Sequence, residues 1–90
     1  MDQETNADIL FFTSNHCAPC MMMKRKLEAL NAEMPFVVKT VNIESADKTT
    51  LQGFRMAPVI KIKDEVVVGD VEIDDLRNVL MRNLYSSRGQ

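Results

Sequence analysis

Two cysteines are all that this chain of 90 residues contains, and both lie in one six-residue stretch, Asn15-His16-Cys17-Ala18-Pro19-Cys20. Sulfur at that spacing supports three chemistries. The pair could be half of a metal site, two small apolar core residues, or a dithiol that exchanges electrons with other disulfides. A structural zinc needs four ligands, as a rule two pairs separated along the chain. Here one histidine accompanies the cysteines and adjoins the first, so only a second copy could complete the set; no metal and no cofactor are expected. Packing as a small hydrophobe suits Cys20, which falls on the apolar stripe of a helix. It suits Cys17 poorly, because that residue stands where strand gives way to helix. The dithiol has a positive physical basis. A thiolate at a helix N-terminus faces unpaired N–H groups and the positive end of the dipole, which favour the charged form and lower the thiol pKa. Cys17 is then the attacking sulfur and Cys20, three residues on, the resolving one.

The elements that must position this turn follow from periodicity. Residues 8–14, "DILFFTS", form a short apolar run suited to a strand buried on both faces. From Cys17 to about Asn31 the apolar residues Cys20, Met23, Leu27 and Leu30, continued by Met34, recur at helical spacing. Pro19 falls in the first turn, where a missing N–H costs little. "PFVVKTVNI", 35–43, is a second strand rich in β-branched residues. Ser45 is positioned to cap a short helix over 46–52, made marginal by Thr49 and Thr50 and ended by Gly53. "PVIKIK" and "EVVVG" are two strands meeting at Asp64–Glu65 as a hairpin. A last helix starts near Glu72 and buries Ile73, Leu76, Leu80 and Leu84, with Glu72, Asp74 and Asp75 at its positive end and Arg82 at the other. The order βαβαββα predicts an α/β fold. Its first two strands are parallel through a right-handed crossover, and the hairpin adds antiparallel strands to make a four-stranded mixed sheet with helices on both faces. Reactive sites in such sheets lie beyond the C-terminal ends of the parallel strands, where the cysteine turn falls.

Composition narrows the function. One domain over 1–90 is expected, with 1–7 and 86–90 as frayed ends; a chain this size buries about 60–65% of its unfolded surface. A net charge of −2 and a pI near 5.3 give no basic footprint for nucleic acid. No apolar run approaches the roughly 20 residues that cross a bilayer, and the acidic start "MDQETNAD" is unlike a secretory signal. A cytoplasmic, monomeric protein is the expectation. Structural disulfides are rare in that compartment, so a close cysteine pair needs a catalytic or a metal explanation.

The landmarks taken together resemble the thioredoxins over most of the chain. "HCAPC" resembles that family's WCGPC site, "VNIES" the end of its second parallel strand, "GFRMAPV" the loop carrying its cis-proline, and "VVVGD" the strand end with its groove glycine. The resemblance implies a thioredoxin-like fold and reduction of protein disulfides through Cys17 and Cys20. It also implies substrate contacts at His16, Ala18, Pro19, Ala57, Pro58 and Gly69. Pro58 would be cis, Ala57 would lend backbone hydrogen bonds to a substrate strand, and Gly69 would floor the groove. Disulfide-containing proteins would be the substrates, with thioredoxin reductase or glutathione as electron source. Without the resemblance, Pro58 reads as a trans residue opening an edge strand and Gly69 as a turn glycine.

Departures from the family matter as much. The family has a strand and a helix ahead of the active-site strand, whereas eight or so residues precede it here, a length closer to the glutaredoxins. Glutaredoxins, however, carry a CPYC motif and a Gly-Gly-x-Asp turn where this chain has "CAPC" and "VGDVE". A glutathione-dependent glutaredoxin and a non-catalytic binding module therefore stay open as alternatives. His16 stands in place of tryptophan and Ala18 in place of glycine. Protonated, His16 would favour the Cys17 thiolate; the plainer reading is an exposed residue replacing an aromatic contact. Thioredoxins also pair a buried aspartate, six positions before the first cysteine, with a lysine on the next strand. Here those positions hold Phe11 and Thr40, and Lys39, one residue off, would point to the opposite face. Met23 reads as core, and Met21 and Met22 as partly exposed beside the dithiol. Lys24, Arg25 and Lys26 read as a solvated helix face, and Asp70 as a negative charge near the groove.

Overall fold

A computed structural model describes residues 7–51, 53 and 55–85. The run predicted as the first strand forms β1, Ile9–Thr13, between β2, Val38–Asn42, and β3, Val59–Ile62; β4, Glu65–Val68, completes the order β2-β1-β3-β4. β1 and β2 are parallel, and the pairs β1–β3 and β3–β4 antiparallel. A central strand is covered on both sides, which is why β1 is apolar without alternation: Ile9 and Phe11 are buried on one face and Phe12 on the other.

Helix α1, Ala18–Glu33, and helix α3, Ile73–Leu80, share the Ile9 and Phe11 face. Met23, Leu27 and Leu30 from α1 and Leu76, Val79 and Leu80 from α3 close there over Ile60 and Ile62. Helix α2, Lys48–Leu51, covers the other face, where Leu51, Ile43, Ala46 and Leu10 pack partly buried on Phe12, Val41 and Val59. Helices thus cover both faces, as expected. Met23 is fully buried, while Met21 and Met22 are exposed.

Several boundaries move, each for a local reason. α1 runs two residues past Asn31 because the Met34 N–H still donates to the Leu30 carbonyl at 2.8 Å. The Asn31 amide then exchanges two hydrogen bonds with the Phe36 backbone at 3.2 Å, turning the chain. That turn consumes Pro35 and Phe36, so the second strand begins at Val38 rather than Pro35. The short helix expected from Ser45 begins only at Lys48. The Asn42 carbonyl accepts from both Ser45 and Ala46 N–H groups, at 3.2 and 2.9 Å, and closes a turn where the cap was expected. Gln52 lies outside the described residues, and Gly53 follows with φ +88°. The hairpin turns on Lys63–Asp64, with Ile62 opposite Glu65 and Lys63 at φ +55°, the left-handed conformation that two-residue hairpin loops require. Beyond Leu80 the last helix becomes a π-helical turn, Met81–Tyr85. Arg82 lies in that last turn, as expected, and also pairs with Glu65. Of the ends expected to fray, 1–7 and 86–90, all but Ala7 lie outside the described residues.

Candidate active site

Thr13 ends β1, and the chain leaves the sheet through Ser14, Asn15 and His16. His16 adopts φ +54°, a left-handed conformation that histidine enters more readily than most residues. Cys17 returns to extended backbone and caps α1, its Sγ accepting the Cys20 N–H at 3.1 Å. Pro19 occupies the first turn of the helix. The two sulfurs are joined as a disulfide with the Cα atoms 5.2 Å apart. Cys17 is half-buried and Cys20 only 3% exposed. His16, Ala18 and Pro19 are exposed around them.

What holds this turn was not foreseen from the sequence. Asn15 donates to Glu44 twice, from its backbone N–H at 2.8 Å and its side-chain amide at 2.9 Å. Asn42 donates from its amide to the Asn15 side-chain carbonyl at 2.9 Å, and its own oxygen accepts the Glu44 N–H at 2.8 Å. The cysteine turn is thereby clamped to the segment that follows β2. The visible signal was the polar "N" and "E" of "VNIES" beside the "N" of "NHC", but nothing in their spacing says that they meet.

Strand register brings the other predicted residues to the same end of the sheet. Phe12 faces Val59 and Val59 faces Val68, so one step further places Pro58 beside Thr13 and Gly69 beside Pro58. The Gly69 N–H donates to the Pro58 carbonyl at 2.8 Å. Thr13 also faces Asn42, giving one row across the sheet: Asn42, Thr13, Pro58, Gly69. The Ala57–Pro58 peptide is cis, and β3 is an inner strand, which removes the edge-strand reading of Pro58. Pro58 is buried and Ala57 half-buried. Gly69 has φ +86°, and an added Cβ would meet nothing within 4 Å. Backbone conformation therefore demands glycine there, and lack of space does not. Phe54, quoted with this loop, lies outside the described residues.

Phe11 and Thr40 are direct cross-strand neighbours, and Lys39 faces Leu10 on the opposite side of the sheet. A cavity of about 460 Å³ opens at this place, lined by both cysteines, Phe11, Thr40, His16 and Lys24 among others. The basic run of α1 divides by neighbour and is not one solvated face. Lys26 donates to Asp70 and to the Val71 carbonyl, both at 2.6 Å, so the negative charge expected near the groove is paired. Lys24 and Arg25 are exposed as expected, and Lys24 also borders the cavity. Among the described residues no group of three or more His, Cys, Asp or Glu side chains could hold a metal ion. No helix among them is long and apolar enough to cross a membrane.

No protein-family model matches the chain, and no curated protein matches it either. Solved structures do. A thioredoxin variant from Halobacterium salinarum NRC-1 superimposes with a TM-score of 0.71 at 21% identity, over 89% of this chain and 78% of that one. Thioredoxin f2 from Chlamydomonas reinhardtii gives 0.72 at 16% identity, over 91% of this chain and 84% of that one. The fold is the thioredoxin fold.

Proposed function

We propose that this chain is a thiol–disulfide oxidoreductase that reduces protein disulfides. One observation carries the reading: Cys17 caps α1 with a backbone N–H aimed at its sulfur, and Cys20 is near enough to be bonded to that sulfur. An external donor, thioredoxin reductase or glutathione, first adds two electrons and opens the Cys17–Cys20 disulfide. The Cys17 thiolate then attacks one sulfur of a substrate disulfide. A Cys17–substrate bond forms, the substrate S–S bond breaks, and the departing sulfur takes the electron pair and later a proton. Cys20 loses its proton and attacks the Cys17 sulfur, restoring the Cys17–Cys20 disulfide and releasing the second substrate thiolate. Two electrons and two protons have moved to the substrate.

Cys17 is the sulfur for the first attack because it is the more exposed of the two and takes the helix N–H; buried Cys20 suits the second. Exposed His16, Ala18 and Pro19 would meet the substrate from the helix side. Ala57, Pro58 and Gly69, brought to the same end of the sheet, would receive an extended substrate segment. Pro58 has its carbonyl committed to Gly69, which leaves the Ala57 peptide as the strand-pairing edge. The same chemistry suits a reducing, cytoplasmic setting and a monomer.

Insulin-disulfide reduction tests the proposal, run with thioredoxin reductase or with glutathione as electron source. Turnover is expected, together with its loss in Cys17→Ser and accumulation of a mixed disulfide in Cys20→Ser. Turnover with glutathione alone would assign the glutaredoxin alternative. No turnover with either source, in a protein whose Cys17 resists alkylation when reduced, would leave the fold as a binding module.

A further inference from the structure

The cavity beneath the dithiol extends the reading above to a further residue, and the inference rests on that reading. Cys20 is 3% exposed, and it lines this cavity of about 460 Å³. Whenever the disulfide is split at Cys17, Cys20 departs as a thiolate into a largely desolvated place. When Cys20 resolves a mixed disulfide, it must become a thiolate there before it attacks. Burial opposes the charged form in both steps, so some group must favour it.

The groups facing that sulfur can be taken element by element. From β1 comes Phe11 and from β2 its cross-strand neighbour Thr40, neither of which titrates in the relevant range. From the turn comes His16. From α1 comes Lys24, four residues after Cys20 and therefore on the same flank of the helix. Neither α2 nor α3 contributes a lining residue, and no carboxylate lines this cavity. Glu28, four residues further along α1, lines a smaller neighbouring cavity that Lys24 also borders. Among the described residues Lys24 takes part in no ion pair. Its neighbour in sequence, Lys26, is occupied by Asp70 and Val71.

We propose that the Lys24 ammonium is the charge that holds Cys20 as a thiolate, a positioning role in both the opening and the closing of the Cys17–Cys20 bond. The Cys20 proton leaves to solvent through the cavity, and the cation facing the cavity favours the thiolate left behind. In resolution the Cys20 thiolate then forms its bond to Cys17 Sγ, the Cys17–substrate bond breaks, and the electron pair goes to the substrate sulfur. Residues four apart on a helix lie about 5–6 Å from one another at Cβ, and through partly wet space such a charge raises the ionisation constant about threefold to tenfold.

The experiment uses Cys17→Ser protein, in which Cys20 is the one remaining thiol, and follows its ultraviolet thiolate absorbance against pH. Lys24→Met and Lys24→Gln are expected to lower the ionisation constant of Cys20 about threefold to tenfold, with Lys24→Arg close to the parent. Lys24→Glu should lower it further. Superimposable curves for the parent, Lys24→Met and Lys24→Gln overturn the proposal. So does a shift that appears with His16→Ala and not with Lys24→Met, which would move the role to His16. The wild-type insulin assay separates the two readings. Turnover with unmoved titration curves removes Lys24 alone; moved curves without turnover keep the electrostatic coupling and remove the reductase.

Discussion

On one face of the sheet, α1 and α3 lay Met23, Leu27, Leu30, Leu76 and Leu80 against Ile9, Phe11, Ile60 and Ile62. On the other, Phe12, Val41 and Val59 are buried under partly exposed neighbours and a four-residue helix. The helix that carries the dithiol belongs to the thick face and is held by apolar burial. The cysteine turn itself is tied to the end of β2 and the residues just after it by polar groups, Asn15 to Glu44 and Asn42. What keeps the chain folded and what aims its sulfurs are therefore largely different residues, and they can be changed separately.

The largest effect that could break this contrast is a pair of truncations. Leu30→Ala, at a fully buried position, is expected to cost about 2–5 kcal/mol in urea denaturation. Leu51→Ala, half-buried in α2, should cost under about 1 kcal/mol, because less area leaves water and the surroundings can collapse. Equal losses would mean that the two faces share the load. The next effect is smaller and concerns aim. Asn15→Ala removes the side-chain bonds of the clamp at an exposed site and should cost about 1 kcal/mol. Amide exchange should quicken at residues 14–17 while the α1 interior stays protected. Faster exchange throughout α1 would show that the clamp is part of the core's cooperative unit.

The smallest effect is electrostatic and falls on the thick face. Glu33 on α1 receives Arg77 of α3 through two bonds at 3.0 Å, and that hydrogen bonding first, with the guanidinium charge behind it, holds its pKa below the ordinary 4.5. Glu65 is lowered in the same way by Arg82 and then Asn83. A carboxyl whose folded pKa is depressed adds stability above its unfolded value, and that stability is lost as pH falls through the folded one. A slight drop in the thermal midpoint is thus expected as pH passes downward from about 4.5, shallower in Arg77→Met. Both pairs are solvent-exposed and screened, so the slope should flatten in high salt.

These contrasts also mark what could be learned from the residues in order. β1 and α1 were legible because a doubly buried strand and a one-sided helix leave unmistakable apolar spacings, and the dithiol sits where the two join. The row of Pro58 and Gly69 was reachable only through the resemblance, since nothing in their composition specifies a cis peptide or a shared sheet end. α2 was placed too early because Asn42 offers its carbonyl to Ser45 and Ala46, a competition between turn and cap that propensities do not weigh. The division of Lys24 from Lys26 was invisible for a different reason. Asp70 lies 44 residues from Lys26, and helical spacing cannot tell a lysine facing a loop from one facing a cavity.

One contact far from the sulfurs has a practical consequence. Tyr85 is the only tyrosine and the chain has no tryptophan; its hydroxyl donates to the carbonyl of Pro35. Pro35 follows the far end of a 16-residue helix, about 24 Å from the dithiol at 1.5 Å per residue. Phenol emission from this protein therefore reports the docking of its carboxyl-terminal turn. A fluorescent probe of thiol chemistry has to be introduced at the other pole of α1.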